Sequence, residues 1–149
     1  MSFKEYLQEV EEENKGPGIV VNIEKDTVGN DNFRKVIFTG EKLQLVLMAL
    51  KADEEIGEET HKTVDQFFRV DEGSGKVIMN DKETEISNGS AFVIPMGTKH
   101  NVIAGSEGMK VYSIYTPPNH PDGTIHKTKE DAIADKEDEA FGKKVGGEE

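Results

Sequence analysis

Short apolar segments separated by turn residues run along most of this chain. The strongest of them spans Leu43 to Leu50, and both of its faces are apolar because alternate residues of a strand point to opposite sides. One face should line a barrel, while the other meets a second sheet, the N-terminal helix or another subunit. About nine such segments, with no helical pattern between them, predict an all-β sandwich or barrel. The predicted strands are Ile19–Ile23, Phe33–Phe38, Leu43–Leu50, Gln66–Val70, Lys76–Asn80, Glu83–Ile86, Ala91–Ile94, Asn101–Ile103 and Val111–Tyr115, with turns at Gly73–Gly75, Asn80 and Asp81, Asn88 and Gly89, and Gly105–Gly108.

The two ends of the chain have a different pattern. Ser2 and Glu5 form a capping box at the start of an amphipathic stretch, which predicts a short helix over residues 1–15. Residues 16–117 are predicted to form the barrel. Residues 118–149 are expected to hold a loop, a helix over Lys129–Gly142 and a mobile acidic tail from Lys143 onward.

Charge and composition narrow the function classes. The formal net charge is −12, of which residues 1–14 and 129–149 carry −8. The net negative charge argues against nucleic acid and anionic membranes as partners, but not against an anionic small substrate. The chain has no cysteine, which rules out disulfides and thiolate metal sites. It also has no apolar run of transmembrane length, so a cytoplasmic protein is expected.

Two of the four histidines lie in spaced motifs. In the first motif, one residue separates Glu59 from His61, four separate His61 from Gln66, and six separate Gln66 from Gly73. The second motif consists of Gly89, Pro95, Gly97 and His100, separated by five, one and two residues. These spacings closely resemble the two motifs of the cupin superfamily, HxHxxxxExxxxxxG and GxxxxxPxGxxH, over roughly residues 40–117. The resemblance implies a double-stranded β-helix, or jelly-roll, barrel with short helices at its N- and C-terminal ends.

This chain departs from the family pattern at two positions. Glu59 replaces the first histidine and Gln66 replaces the glutamate. The resemblance therefore implies an altered metal site with Glu59, His61 and His100 as ligands and Gln66 as a weaker, neutral fourth. Two histidines and a carboxylate suit Fe, Mn, Ni, Co or Zn, so the ligands do not identify the divalent ion.

Several alternatives remain open for these residues. The barrel could be a degenerate cupin without metal. If a bulge follows His61, Asp65 would replace Gln66 as the inward carboxylate and Thr63 would share a face with His61. His120 and His126 could lie in a polar surface loop, or in a lid that places His120, Asp122 or His126 near the ligand. Arg69 is predicted to be solvated or ion-paired, or else to bind a substrate carboxylate or phosphate.

Two classes of function fit these features. The first is a metal-dependent enzyme for a small polar molecule, for which the resemblance implies a dioxygenase, isomerase, epimerase or decarboxylase. The second is a non-catalytic cupin that binds a small molecule or a metal as a sensor or carrier, which the neutral Gln66 favours. Homodimerisation is expected in either case, since small jelly rolls commonly cover an edge or an apolar face in this way.

Overall fold

The computed structural model describes residues 1–5 and 18–146 and contains one antiparallel sheet that curves into a barrel. Seven strands pair in the order β4-β3-β6-β2-β1-β7, and β5 pairs with β3. The fold is thus the predicted cupin-type jelly roll. The strands are β1 (Arg34–Thr39), β2 (Gln44–Leu50), β3 (Asp65–Met79), β4 (Lys82–Ser87), β5 (Ala91–Ile94), β6 (His100–Thr116) and β7 (Ile125–His126), and the helices are α1 (Ile23–Gly29), α2 (Lys129–Ala134) and α3 (Lys136–Val145).

The two longest strands replace four shorter ones that the sequence predicts. β3 and β6 pair along their whole lengths, with register shifts on either side of Gly73, so the predicted turns at Gly73–Gly75 and Gly105–Gly108 are wrong. Gly73 has φ +92°, and a Cβ there would collide with the Gly108 carbonyl. The glycines therefore allow two strands to bend past each other at close range instead of reversing the chain.

The N-terminal part of the described chain also differs from the prediction. Ile19–Ile23 was expected to be a strand, but the residues before Ile23 are unpaired and Ile23 begins α1. The Asn22 side chain accepts a 3.1 Å hydrogen bond from the Lys25 amide and caps this helix. The capping box is present: the Glu5 amide donates to Ser2 Oγ at 3.1 Å, and the Ser2 amide donates to the Glu5 carboxylate at 3.0 Å. The remainder of the predicted helix over residues 1–15 lies outside the described residues.

The core fills the inside of the barrel. Alternate residues of β2, β3 and β6 face inward, including Val46, Met48, Phe68, Val70 and Val111, each at most 1% exposed. The same alternation brings Gln44, Gln66 and Tyr115 to one end of this core, because Tyr115 is paired with Gln44 on one side and Gln66 on the other. Polar side chains thus replace apolar ones where the barrel opens.

The C-terminal segment closes that open end. α3 continues to Val145, which is buried, and the Thr63 hydroxyl donates a hydrogen bond to the Val145 carbonyl. The helix thus extends three residues beyond the predicted end at Gly142, and residues 147–149 lie outside the described residues. None of the helices in the described part of the chain has the length and apolarity needed to span a membrane.

Candidate metal centre

Backbone hydrogen bonds fix Glu59 opposite His100 in the barrel wall. The amide of each residue donates to the carbonyl of the other over 2.9 Å, forming an antiparallel bridge. His61 lies two residues beyond Glu59, and its carbonyl accepts a 2.7 Å hydrogen bond from the Gly97 amide. Because alternate residues of an extended segment point the same way, the Glu59 and His61 side chains reach the space beside His100.

The three side chains converge on one point. One donor atom from each of Glu59, His61 and His100 lies within 4.8 Å of the others. Glu59 Oε2 is 3.1 Å from His61 Nε2 and 4.0 Å from His100 Nε2. An ion that binds nitrogen and oxygen donors at about 2.0–2.2 Å requires the donors to be separated by roughly 3–4 Å. The spacing therefore suits a single transition-metal ion.

The histidine and carboxylate are in the protonation states that a metal requires. His100 Nδ1 is 2.9 Å from the Thr98 carbonyl, which can only accept, so the hydrogen is on Nδ1 and the Nε2 lone pair is available. Burial lowers the pKa of His100, although the Thr98 carbonyl acts in the opposite direction. Burial alone would raise the pKa of Glu59, but its contacts with His61 and the charges of Arg34 and the histidines bring it below the usual value.

Gln66 also faces the interior, at the end of β3. Its side chain is buried, and Nε2 donates to Ser113 Oγ over 3.0 Å, whereas Oε1 has no hydrogen-bond partner. Asp65 is exposed, and its carboxylate accepts a 2.8 Å hydrogen bond from the Met96 amide. The alternative register with an inward Asp65 is therefore wrong, and the orphaned oxygen belongs to Gln66.

A second polar cluster, which we call the roof cluster, lies over the open end of the barrel. His120 Nδ1 is 2.6 Å from Asp138 Oδ1, and His126 lies between Asp135, at 2.9 Å, and Arg34, at 3.2 Å. His120 and His126 are 5% and 4% exposed, so the prediction of a surface loop is wrong for both. His120 instead lines a cavity, and Asp122 is exposed.

A cavity of about 580 Å³ joins part of the roof cluster to two of the three converging side chains. Glu59 and His61 line one part of it, and Arg34, His120 and Asp138 line another. The buried Tyr115 ring packs near two of these residues, with its centroid 6.2 Å from that of His61 and 5.1 Å from that of His120. Burial raises the pKa of Tyr115, so its hydroxyl stays protonated.

Sequence reasoning missed Arg34 and Asp138 as site residues. The signal for Arg34 was its position two residues before Val36, which places a charged side chain on the inward face of a strand. Asp138 carries no comparable signal, because only the packing of α3 on the barrel brings it to His120. Arg69 is ion-paired with Asp71 and does not line the cavity, which leaves its predicted substrate-binding role without support.

Comparisons with known proteins agree with this fold. The family model described as a cupin domain matches residues 46–115. The crystal structure of BH2720 from Bacillus halodurans has 44% identity and a TM-score of 0.78, and the match covers 81% of this chain and 96% of that one. An RmlC-like cupin from Desulfovibrio desulfuricans has 26% identity and a TM-score of 0.52, over 57% and 81% of the two chains.

A curated relative is similar at the sequence level. The uncharacterized protein YrkC of Bacillus subtilis is 47% identical over 122 residues, which is 77% of this chain and 66% of that relative. The match therefore spans just under two thirds of YrkC.

Proposed function

We propose a function from the premise that this chain belongs to the cupin family: it binds a divalent metal ion inside the barrel and acts on a small polar molecule in the adjoining cavity. The observation that carries the proposal is the convergence of Glu59, His61 and His100, whose donor atoms lie within 4.8 Å of one another. Without a metal, the two imidazole Nε2 atoms would share a single carboxylate oxygen, which lies 3.1 Å from His61 and 4.0 Å from His100.

Gln66 is the proposed fourth ligand, through its amide oxygen. A buried carbonyl oxygen without a partner costs roughly 1–3 kcal/mol, which coordination would offset. Its neutral amide leaves Glu59 as the only anion in the donor set. A divalent ion would therefore keep a net positive charge, which favours binding of electron-rich or anionic substrate oxygens.

The donor set limits the ion to metals that accept nitrogen and oxygen ligands, among them Fe, Mn, Ni, Co and Zn. Such an ion, when bound, supplies a Lewis acid that polarises substrate oxygen atoms. The residues of the chain have separate tasks. Thr98 orients His100 through its carbonyl, Tyr115 packs against both His61 and His120, and α3 supplies Asp138 and part of the cavity wall.

Binding without turnover is the second candidate function. The feature that favours it is Gln66, because an amide oxygen holds a divalent ion more weakly than a carboxylate. A weakly held ion suits a sensor or carrier that must release its metal. Measurement of metal affinity separates the two candidates, since a resident metal survives gel filtration and a transient one does not.

Elemental analysis of stripped and reloaded protein tests the metal site. The purified protein is chelated, titrated with Fe(II), Mn(II), Ni(II) and Zn(II), and desalted. Wild type should retain close to one ion per chain, and His61→Ala and His100→Ala should retain almost none while keeping the far-UV spectrum of a folded barrel. His120→Ala is the matched control and should retain its metal. Equal metal content in all three variants would overturn the assignment.

We also infer a cytoplasmic homodimer. The apolar residues Ile19, Val20 and Val21 are 46%, 101% and 40% exposed and pair with no strand within residues 18–146. An extended β-branched segment of this kind is suited to pair with a second copy. The absence of cysteine is consistent with a reducing compartment.

A further inference from the structure

We infer that Arg34 and His120 form a second binding point in the cavity, which recognises a ligand that carries both a carboxylate and a hydroxyl group. This inference names a substrate class for the proposed function and rests on it for the neighbouring metal ion. The contacts of Arg34 and His120 themselves involve only residues of the chain. They can therefore be tested separately from metal binding.

His120 offers an acceptor. Its Nδ1 lies 2.6 Å from the Asp138 carboxylate, which can only accept, so Nδ1 carries the hydrogen and Nε2 presents a lone pair. The backbone is held as well, because the His120 amide donates to Gln44 Oε1 and the His120 carbonyl accepts from Gln44 Nε2. Nε2 is buried and has no hydrogen-bond partner. The ring is thus fixed in orientation and lacks one donor, which a ligand hydroxyl group would supply.

Arg34 offers a donor. The residue is 6% exposed, and its Nη1 is 3.2 Å from His126 Nδ1 and 4.0 Å from Asp138 Oδ2. Its Nε–H group is buried and has no partner. An unpaired donor on a buried guanidinium is costly, and a carboxylate is its best-matched acceptor.

The charge of the cavity points to the same ligand. The described residues that line it include four cationic and four anionic side chains, so the protein alone is balanced there. A divalent ion at Glu59, His61 and His100 would leave an excess positive charge. An anionic ligand would neutralise part of it, whereas a cationic ligand would be repelled.

The two orphaned groups together set the specificity. A sugar alcohol could donate to His120 Nε2 but would offer Arg34 only a neutral oxygen, which is a weaker acceptor than a carboxylate. A fatty acid would pair with Arg34 but leave His120 Nε2 without a donor. Sites built to hydrogen-bond a polar group reject analogues that lack it, because their own buried groups are then left without partners. A hydroxycarboxylate gives His120 a hydroxyl donor and Arg34 a charged acceptor, and the cavity volume of about 580 Å³ is ample for one of six carbons.

Titration calorimetry with three six-carbon probes tests this assignment. Gluconate carries a carboxylate and hydroxyls, hexanoate has only the carboxylate, and sorbitol has only hydroxyls. Each is titrated into chelated protein and into Zn(II)-loaded protein. Gluconate should bind about 10- to 100-fold more tightly than either analogue, which corresponds to one or two hydrogen bonds to a charged or buried group.

Variants assign each contact. Arg34→Met should reduce gluconate affinity to that of sorbitol, and His120→Phe should reduce it to that of hexanoate. Arg69→Met is the matched control, since this arginine pairs with Asp71 outside the cavity, and it should leave all three affinities unchanged. Equal affinity of wild type for the three probes, or equal losses in all three variants, would overturn the inference.

A wild-type measurement covers the case in which a variant fails to fold. Gluconate should shift the ¹⁵N resonance of His120 Nε2, and hexanoate should not; an unchanged resonance at saturating gluconate would overturn the inference. The two proposals fail in different ways. Gluconate selectivity in a protein that retains no metal would refute the metal site alone, and retained metal without selectivity would refute the second binding point alone.

Discussion

Two buried glutamines on either side of Tyr115 allow a direct test of the Gln66 assignment. Gln44 and Gln66 are 0% and 3% exposed and occupy corresponding positions on the two strands that flank β6. Their side-chain amides differ in how many hydrogen bonds they form. Gln44 makes four hydrogen bonds, to Thr39, to the amides of Asn119 and His120, and to the carbonyl of His120. Gln66 donates to Ser113 and also hydrogen-bonds the Tyr115 side chain, but its oxygen has no partner.

We expect substitution by leucine to have opposite consequences at these positions. Gln44→Leu would leave three buried backbone groups of Asn119 and His120 unpaired, which at about 1–3 kcal/mol each lowers the free energy of unfolding by at least about 3 kcal/mol. Gln66→Leu loses the hydrogen bonds to Ser113 and Tyr115, worth about 1 kcal/mol each, but removes an orphaned oxygen whose burial costs about 1–3 kcal/mol. Its stability should therefore lie within about 1 kcal/mol of wild type when no metal is bound.

Urea unfolding of chelated protein, followed by circular dichroism, measures the stability of both variants. Metal titration measures their affinity for the ion. Gln66→Leu should weaken metal binding about tenfold or more despite its near-normal stability, whereas Gln44→Leu should unfold at much lower urea. If Gln66→Leu destabilises the metal-free protein as much as Gln44→Leu, then the Gln66 oxygen has a structural partner, and its role as a ligand is refuted.

Three further predictions concern pH, the strand crossing and assembly. Burial lowers the pKa of both His100 and His120, so the unfolded chain takes up protons at a higher pH than the folded chain does. The free energy of unfolding of the chelated protein should therefore fall as pH drops below about 6.5. Urea midpoints that stay level between pH 7.5 and 5.5 would contradict this prediction. Gly73→Ala should lower the free energy of unfolding by about 2–4 kcal/mol, because the residue has positive φ and an added Cβ would meet the Gly108 carbonyl. Gly89→Ala is the control, since Gly89 has positive φ but open space around it, and it should lower the same free energy clearly less in the urea assay. Val20→Lys should convert the proposed dimer to a monomer in light scattering, and an unchanged mass would place the interface elsewhere.

The resemblance of two spaced motifs to those of cupins predicted the converging side chains, and local patterns are consistent with it. The i, i+2 spacing of Glu59 and His61 fixes a common face wherever the backbone is extended, and period two along β3 sends Gln66 inward whatever the strand pairs with. The same reasoning predicted the Ser2–Glu5 capping box and the strand Ala91–Ile94, whose bounds the structure reproduces. These features depend only on neighbours in the chain.

Features that depend on distant partners were misjudged. Gly73 and Gly75 are typical of a turn, but here they give room for the backbone of β6, which no local pattern reveals. Ile19–Ile23 has a strand-forming composition, yet Asn22 caps a helix at this point, and the acidic residues after it were a usable signal.

His120 and His126 illustrate the same limit within the site. A turn-rich segment such as NHPDG usually lies in solvent, so its composition favoured the prediction of a polar surface loop. Burial became favourable because Asp135 and Asp138, 9 and 18 residues further along, supply acceptors for the two rings, and Gln44 pairs with the backbone. The sequence shows these acidic residues only as part of a charged helix.

The roof cluster and the metal donors are coupled through Tyr115. Its ring contacts His61 on one side and His120 on the other, and its strand neighbours are Gln44 and Gln66. Gln44 holds the backbone of His120, so the position of the proposed ligand acceptor depends on the same barrel layer that presents Gln66. A change in this layer would therefore affect metal binding and ligand binding together. Arg34 contacts the roof cluster and Phe33 and acts on Glu59 only through its charge, so a change at Arg34 should reduce ligand binding far more than metal binding. This difference is why Arg34→Met separates the two proposals more cleanly than any substitution in β6.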